Sequence, residues 1–473
     1  MLIGFAVWLL SGCGDEQTRY VKFLHRYMTS YDERVYKPEF WEENVAKSLE
    51  VRDRMGWEYP ADYFRYFVLP VRVGDEPLDR FRTTYADSLC SLVEGMDPER
   101  AVFEINSWCR LQAYFSEDAE TRTLSPMGTM DYGFGLCSDL TVLTVNAMRA
   151  AGFPARQVTT TWSDFRSNHS WVEVYVGGRW AMMVGCEPYA RLDTNAWVYS
   201  RRVMNADCTV FGNYHGPETV LSRDGHVTRI SNLSKYAAVK KTSVVVYDST
   251  GRPVKGAEVT FLMYHKGGIV PLFSSTTDAH GRATMETGYG DLVALAYKDG
   301  LFGMARVAGD TVLTHLLLAH DIRSNTVSEF ELSPPPELPD KGPLRGNDEC
   351  WAPIDSARLE RLAGHPFDEA RAQAYIDEPR RPHIPEVGWT GVNGTPVRFF
   401  GDSTIVWGED LSVYRLEGSR PSAIVRPLVT GGTYLVVTGT GLSEDDRYMV
   451  RMETFTFPEG SSEVNIPVTM PAK

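Results

Sequence analysis

The spacing of apolar positions divides the chain into a helical first part and a strand-rich remainder. Between Thr18 and Tyr114 apolar residues recur at helical intervals, most clearly over Phe40 to Arg54 and Phe81 to Val93, with breaks at Pro60 and from Pro70 to Pro77. Asp97 followed by Pro98 reads as an N-cap with proline at the first helical position, and Val102, Ile105 and Trp108 continue its stripe. After a loop-like stretch from Thr121 to Met130, a further helix is predicted to open at Cys137. Leu140, Leu143, Val145 and Met148 give it an apolar face, and Gly152 stands where a left-handed residue ends it. Gln157 to Thr161 is β-prone, and His169 opens an alternating run through Trp171, Glu173 and Tyr175 that turns at Gly177-Gly178; a second strand leaves at Trp180. From Tyr236 onward short strands alternate with turns such as Asp248 to Gly251 and Asp278 to Gly281, a sandwich pattern. Ser333 to Arg345 is linker-like, Asp355 to Ile376 reads as helix broken at Gly364-His365-Pro366, and strand signals return from Trp389 to Val468.

The chemistry concentrates between Gly135 and Pro188. Cys137 falls at a helix N-terminus, where unpaired N–H groups and the helix dipole favour a thiolate, although Asp139 in the same turn opposes it. His169 lies on a strand 32 positions later, and a thiol with an imidazole brought to it through space is what nucleophilic thiol catalysis requires. Taken singly, either residue reads as structure: a buried cysteine is commonly an inert small hydrophobe, and a lone strand histidine a packing residue. Cys186 reads as core, disulfide partner or rival thiol. Trp108 reads as a packing residue that could alternatively reach the site.

The blocks Gly135-Leu136-Cys137, Arg149-Ala150-Ala151-Gly152-Phe153-Pro154-Ala155-Arg156 and Asn168-His169-Ser170-Trp171-Val172-Glu173-Val174 resemble, in order and spacing, the core of the transglutaminase-like superfamily. The ending Trp180 to Pro188, with Gly185-Cys186-Glu187-Pro188, is similar to that of bacterial lipoproteins carrying this core. The resemblance implies an α+β, papain-like fold, a Cys-bearing helix on an antiparallel sheet, with Cys137 as nucleophile and His169 as base. The family's usual carboxylate falls four residues after the strand tryptophan, a position held here by Val184. Glu187, before Pro188, is the replacement expected to orient His169, although strand parity turns it the other way unless Gly185 makes a bulge; Asp193 is the reserve. The stretch around Asp248 to Phe261 resembles a carboxypeptidase-regulatory, prealbumin-like sandwich, with Asp248 and Asp278 as turn formers rather than calcium ligands.

Composition changes this picture little. At 473 residues the chain is long enough for several domains, and a net charge of −14 without a basic cluster argues against nucleic acid as a partner. Leu2 to Leu10 is apolar but too short to span a bilayer. It ends in Leu10-Ser11-Gly12-Cys13, which resembles a lipobox, so Cys13 is the expected lipidation site and the bacterial cell envelope the expected location. Seven cysteines in no metal-ligand spacing, and no phosphate or dinucleotide loop, lead to no expected metal or cofactor.

The expected organisation is a signal peptide over 1–13, a helical layer over 14–114, a transglutaminase-like core over 115–238, a β-sandwich over 239–332, a linker over 333–349 and a helical segment with a β-module over 350–473. The expected activity is thiol acyl transfer on a peptide, protein or amide substrate, with water or an amine as acceptor. The rival expectation is a catalytically degenerate surface scaffold or binding protein that uses its β-modules, and Val184 in the carboxylate position is its best support.

Overall fold

The computed structural model describes residues 16–116, 124–161, 168–188, 191–193, 203–265 and 268–333. Toward the C-terminus it describes 389–390, 396–401, 411–418, 420–423, 431–442, 447–461 and 464–471. The lipobox with Cys13, the linker from 334 and the helix expected over Asp355 to Ile376 lie outside these residues.

Helices 16–27, α1 (Pro38–Met55), α2 (Phe81–Val93) and α3 (Pro98–Gln112) build the first layer. The cap expected for α3 is formed, with Asp97 Oδ1 accepting the Arg100 N–H at 3.0 Å and Pro98 leading the helix. α4 (Cys137–Ala150) is buried along almost its whole length, as its apolar spacing predicts, and Gly152 follows its end at φ +89°. Trp108 packs against Tyr85 and Phe81 at ring distances of 5.6 and 6.2 Å.

Six antiparallel strands follow: β1 (Ala155–Thr161), β2 (Asn168–Val176), β3 (Arg179–Met183), β4 (Asp207–Phe211), β5 (Thr219–Arg223) and β6 (Val227–Ser231). Their order across the sheet is β3-β2-β1-β4-β6-β5. The alternation along β2 separates two cores. Val172, Val174 and Val176 join α4 and the helical layer in one cluster, while Trp171 joins Val158, Cys208, Val210 and Tyr236 on the opposite face. On that second face Glu173 is fully buried and held by Arg156 (2.8 Å), Lys235 (3.0 Å) and Tyr236 (2.5 Å), a paired arrangement without which its burial would be costly.

The next module is a sandwich of two sheets. One contains β7 (Lys240–Tyr247), β10 (Arg282–Thr287) and β13 (Leu313–Leu317). The other contains β8 (Glu258–His265), β9 (Gly268–Thr276), β11 (Leu292–Lys298), β12 (Leu301–Val307) and the short β14 (His320–Asp321). Asp248 and Asp278 act as turn formers. Asp248 Oδ1 accepts the Thr250 and Arg252 N–H groups, and Asp278 Oδ1 accepts those of His280 and Arg282. One element departs from the expected boundary. β15 (Val327–Leu332), inside the stretch 239–332, pairs instead with Arg447–Thr456 of the C-terminal sheet. That sheet packs on the outer face of the five-stranded one, so Leu262, Leu295 and Phe302 share a core with Leu435, Val437 and Met452.

The sandwich is docked on the first core. Gly288 donates its N–H to Met204 O at 3.1 Å, and Met204 is buried in the sandwich's own cluster. Among the described residues no helix is long and apolar enough to cross a membrane.

Candidate active site

Cys137 is the first residue of α4, and the turn before it is built around Asp139. The Asp139 carboxylate accepts the Leu136 N–H at 3.0 Å and the Leu124 N–H at 3.3 Å, closing the helix start from within. Gly135 makes this approach possible, because a Cβ there would lie 2.8 Å from Asp139 Cβ. Asp139 is 2 % exposed, and burial pushes its carboxyl up to about 6 against the pull of the two N–H groups.

The sulfur meets β2 at Ser170. The Ser170 and Ser138 N–H groups lie near enough to the Cys137 sulfur to pull its pKa down, and Ser170 O accepts from Thr141 Oγ1 at 3.2 Å. The Ser170 backbone is therefore engaged from the start of α4. The neighbouring ladder explains why it is open to that helix. β3 pairs with β2 from Val176↔Arg179 to Val172↔Met183, so its next rung, two residues on, would set residue 185 against Ser170. α4 occupies that place, and β3 stops. Gly185 lies so close to the helix that a Cβ would stand 2.7 Å from Leu140 O and 2.9 Å from its carbonyl carbon. The start of α4 consequently lies against the open backbone of β2 at Ser170.

His169 is the residue beside that contact. By strand alternation it belongs to the face of Trp171, with which its ring stacks at 6.1 Å, while Ser170 belongs to the face of α4. His169 is 8 % exposed, and burial lowers its pKa to about 3. The Cys137 thiol is pushed up, first by burial and then by the Asp139 charge, against the Ser170 and Ser138 N–H groups. Both shifts favour the neutral forms, thiol and imidazole, at neutral pH.

The register also locates the carboxylate position. Continuing from Val172↔Met183 sets Val184 opposite Trp171, on the side of the sheet that His169 occupies. Val184 is buried, and its carbonyl accepts Asn106 Nδ2 at 2.9 Å. The chain then reverses over Gly185-Cys186 and brings Glu187 back as the antiparallel bridge partner of Val184, with Glu187 N–H donating to Val184 O at 3.2 Å. Bridge partners share a face, so the two-residue turn removes the parity objection to Glu187. Cys186 carries that turn at φ +57°, a conformation that strains a non-glycine residue. Its N–H donates to Thr144 Oγ1 at 3.1 Å, and its thiol lies 3.6 Å from that hydroxyl and 3.8 Å from Leu140 O. The reserve carboxylate Asp193 is engaged elsewhere, by the Met182 N–H at 2.8 Å and by Arg179.

Nothing in the sequence marked Ser170 or Thr141, and Gly185, expected as the site of a bulge, instead lies in a turn against the α4 backbone. Tyr114 and Phe115 pair in parallel with Phe134 and Gly135, just before Cys137, and both rings are half exposed there. Cysteines 90, 109, 137, 186 and 208 are free thiols. Among the described residues no group of three or more His, Cys, Asp or Glu side chains could hold a metal ion.

Residues 89–183 match the transglutaminase-like superfamily. The match contains Cys137 and His169 and ends one residue before Val184. No curated protein matches the sequence. Among solved structures, a protein described as a candidate cysteine protease from Cytophaga hutchinsonii is similar at 13 % identity over 38 % of this chain and 68 % of its own, with a TM-score of 0.24. The transglutaminase of red sea bream is similar at 11 % identity over 61 % of this chain and 62 % of its own, with a TM-score of 0.21. A streptococcal ancillary pilin is similar at 7 % identity over 67 % of this chain and 92 % of its own, with a TM-score of 0.16.

Proposed function

We propose that the chain is a thiol acyl-transfer enzyme acting on peptide or amide bonds, with Cys137 as nucleophile, His169 as general base and Glu187 as the group that orients the imidazole. The observation that carries this reading is the seating of the start of α4, which Cys137 opens, on the backbone of Ser170, the residue after His169. In the reaction His169 takes the thiol proton, and the sulfur attacks the carbonyl carbon. The C–N bond breaks, and the amine leaves with the proton held by the imidazolium. A thioester remains. Water, deprotonated by His169, then yields the acid and restores the thiol, whereas a second amine yields a new amide. The Cys137 N–H at the helix N-terminus is placed to stabilise the oxyanion. Hydrolysis is the preferred outcome, and the envelope, reached through a lipid on Cys13, the preferred location.

Thiol-reactive probe labelling and turnover of a peptide and amide panel, with and without an amine acceptor, test this on wild type and Cys137→Ala. Labelling and turnover should both disappear in the variant. Turnover that survives would remove Cys137 from the chemistry. A second reading, a scaffold that has lost catalysis, is favoured by Val184 in the carboxylate position and by the depressed basicity of His169. It requires that a correctly folded, probe-reactive protein turn over no amide.

A further inference from the structure

We infer that the face of the sheet opposite His169 carries a substrate subsite for a carboxylate, with Arg229 as the residue that selects it; this rests on the reading of Cys137 as nucleophile. The subsite begins one strand away from the residue on which α4 is seated. Ser170, whose carbonyl accepts from Thr141 of α4, is paired with Thr159 on β1, Thr159 with Asp207 on β4, and Asp207 with Ser231 on β6. Paired residues share a face, so these four form one polar row across the sheet. Arg229, two residues before Ser231, belongs to the same face and pairs with Thr209.

This row is unusual for its place. Nearer α4 the same face of β2 is Val172, Val174 and Val176, which are packed in the apolar core. Beyond Ser170 the face turns polar, and a cleft of about 200 Å³ opens over it. Gly74 of the helical layer and Pro271 of the sandwich form its walls, and Thr159, Asn205, Asp207 and Arg229 line it. The Ser170 and Thr159 hydroxyls lie 3.3 Å apart, which ties the row's first rung to the strand on which α4 is seated.

The charges in the cleft are ordered. Asp207 is nearly buried and accepts from Asn205 and, at 2.7 Å, from Arg229. Its acceptor capacity is therefore directed at holding those two donors. The Arg229 side chain remains 41 % exposed, and a guanidinium has five N–H groups of which the Asp207 bond uses one. What the cleft still offers is the exposed part of a guanidinium, beside a line of hydroxyls that donate as well as accept. A carboxylate fits that chemistry, and a cationic group does not. Asp207 acts here as a positioning residue. From β2 to β6 the row crosses three strand spacings, about 14 Å, or roughly four residues of extended peptide. The expected substrate therefore carries its carboxylate about four residues from the amide that Cys137 attacks.

The test uses the full chain and peptides with a single glutamate, or glutamine in its place, stepped through four positions on each side of the reactive amide. Each is made with a free or an amidated C-terminus, so that a side-chain carboxylate is distinguished from a terminal one. At one position glutamate should raise kcat/KM about five- to tenfold over glutamine. Arg229→Gln should abolish that preference while leaving turnover of the glutamine peptides within about twofold, and Arg229→Lys should restore part of it. Equal use of both peptides at every position by wild type would overturn the subsite and leave the nucleophile untouched. Absence of any turnover or probe labelling would instead defeat the catalytic reading. The subsite then stands or falls on peptide affinity for Cys137→Ser protein, which should be weaker for glutamine than for glutamate and should lose that difference in the added Arg229→Gln background.

Discussion

The electrostatics of His169 give the sharpest test of the site. Its ring is 8 % exposed, and burial lowers its pKa from the ordinary 6.5 to about 3. In the unfolded chain the same imidazole binds a proton near its ordinary value, so between those two pH values the unfolded state holds more protons than the folded one. Stability drawn from the neutral ring is therefore complete above pH 6.5 and is lost progressively as pH falls toward 3. At pH 5 the loss amounts to about 2 kcal/mol, from 1.5 pH units at 1.36 kcal/mol each. His169→Gln, neutral at every pH, should lack this component. Urea unfolding of both proteins at pH 7.5 and 5.0 should show the wild type losing about 2 kcal/mol more than the variant over that interval. An imidazole carbon NMR titration, assigned by the same variant among ten histidines, should find one ring still neutral at pH 5. Parallel pH slopes, or a His169 midpoint between 6 and 7, would refute the reasoning and point to a charged imidazole facing a thiolate.

Three other substitutions probe separate parts of the geometry. Gly185→Ala forces a Cβ to within 2.7 Å of Leu140 O, so it should cost roughly 1–3 kcal/mol in thermal unfolding and alter the pH profile of Cys137 alkylation as the helix start shifts; an unchanged melt and profile would show that α4 does not confine the turn. Asp139→Asn keeps an acceptor for the Leu136 N–H but removes the charge that raises the thiol pKa, so iodoacetamide kinetics should give a midpoint lower by about half a unit to one unit; a higher midpoint would contradict the assigned sign. Val184→Asp places a carboxylate on the face of His169, and the imidazole midpoint should rise by about one unit or more. No rise would mean that position 184 does not address the ring.

The sequence displayed those parts whose signals are local. Asp97-Pro98 and Gly152 fix their helix ends through caps, Gly177 and Gly178 turn their hairpin at φ +59° and +77°, and the Cys137 and His169 blocks carry their own spacing. What it hid depends on neighbours. Strand parity alone sets Glu187 on the wrong face, and the two-residue reversal that returns it follows from α4 filling the next rung of the ladder, a contact with residues more than 40 positions earlier. β15 alternates like any strand, and nothing in that alternation says which sheet will take it. Cys109 and Cys186 meet only because α3 and the turn after β3 pack on the same side of α4. Asp207 and Arg229 carry no local signal, and only the register aligns them with Ser170.

These hidden contacts have a common cause. A sheet normally separates what lies on its two faces by the thickness of its side chains, and a group on one face cannot act on the other. By ending β3 one rung early, the ladder leaves the β2 backbone open at Ser170, against the start of α4. The imidazole then keeps to the dry face of Trp171 and Glu173, where its proton affinity is set by burial. The polar row and Arg229 keep to the other face, where a substrate can exchange water for hydroxyls. A change on one face should therefore leave the other's property standing: Arg229→Gln should not move the His169 titration, and Val184→Asp should not move the preference for a carboxylate. Coupling between the two would mean that the sheet does not keep its two faces separate.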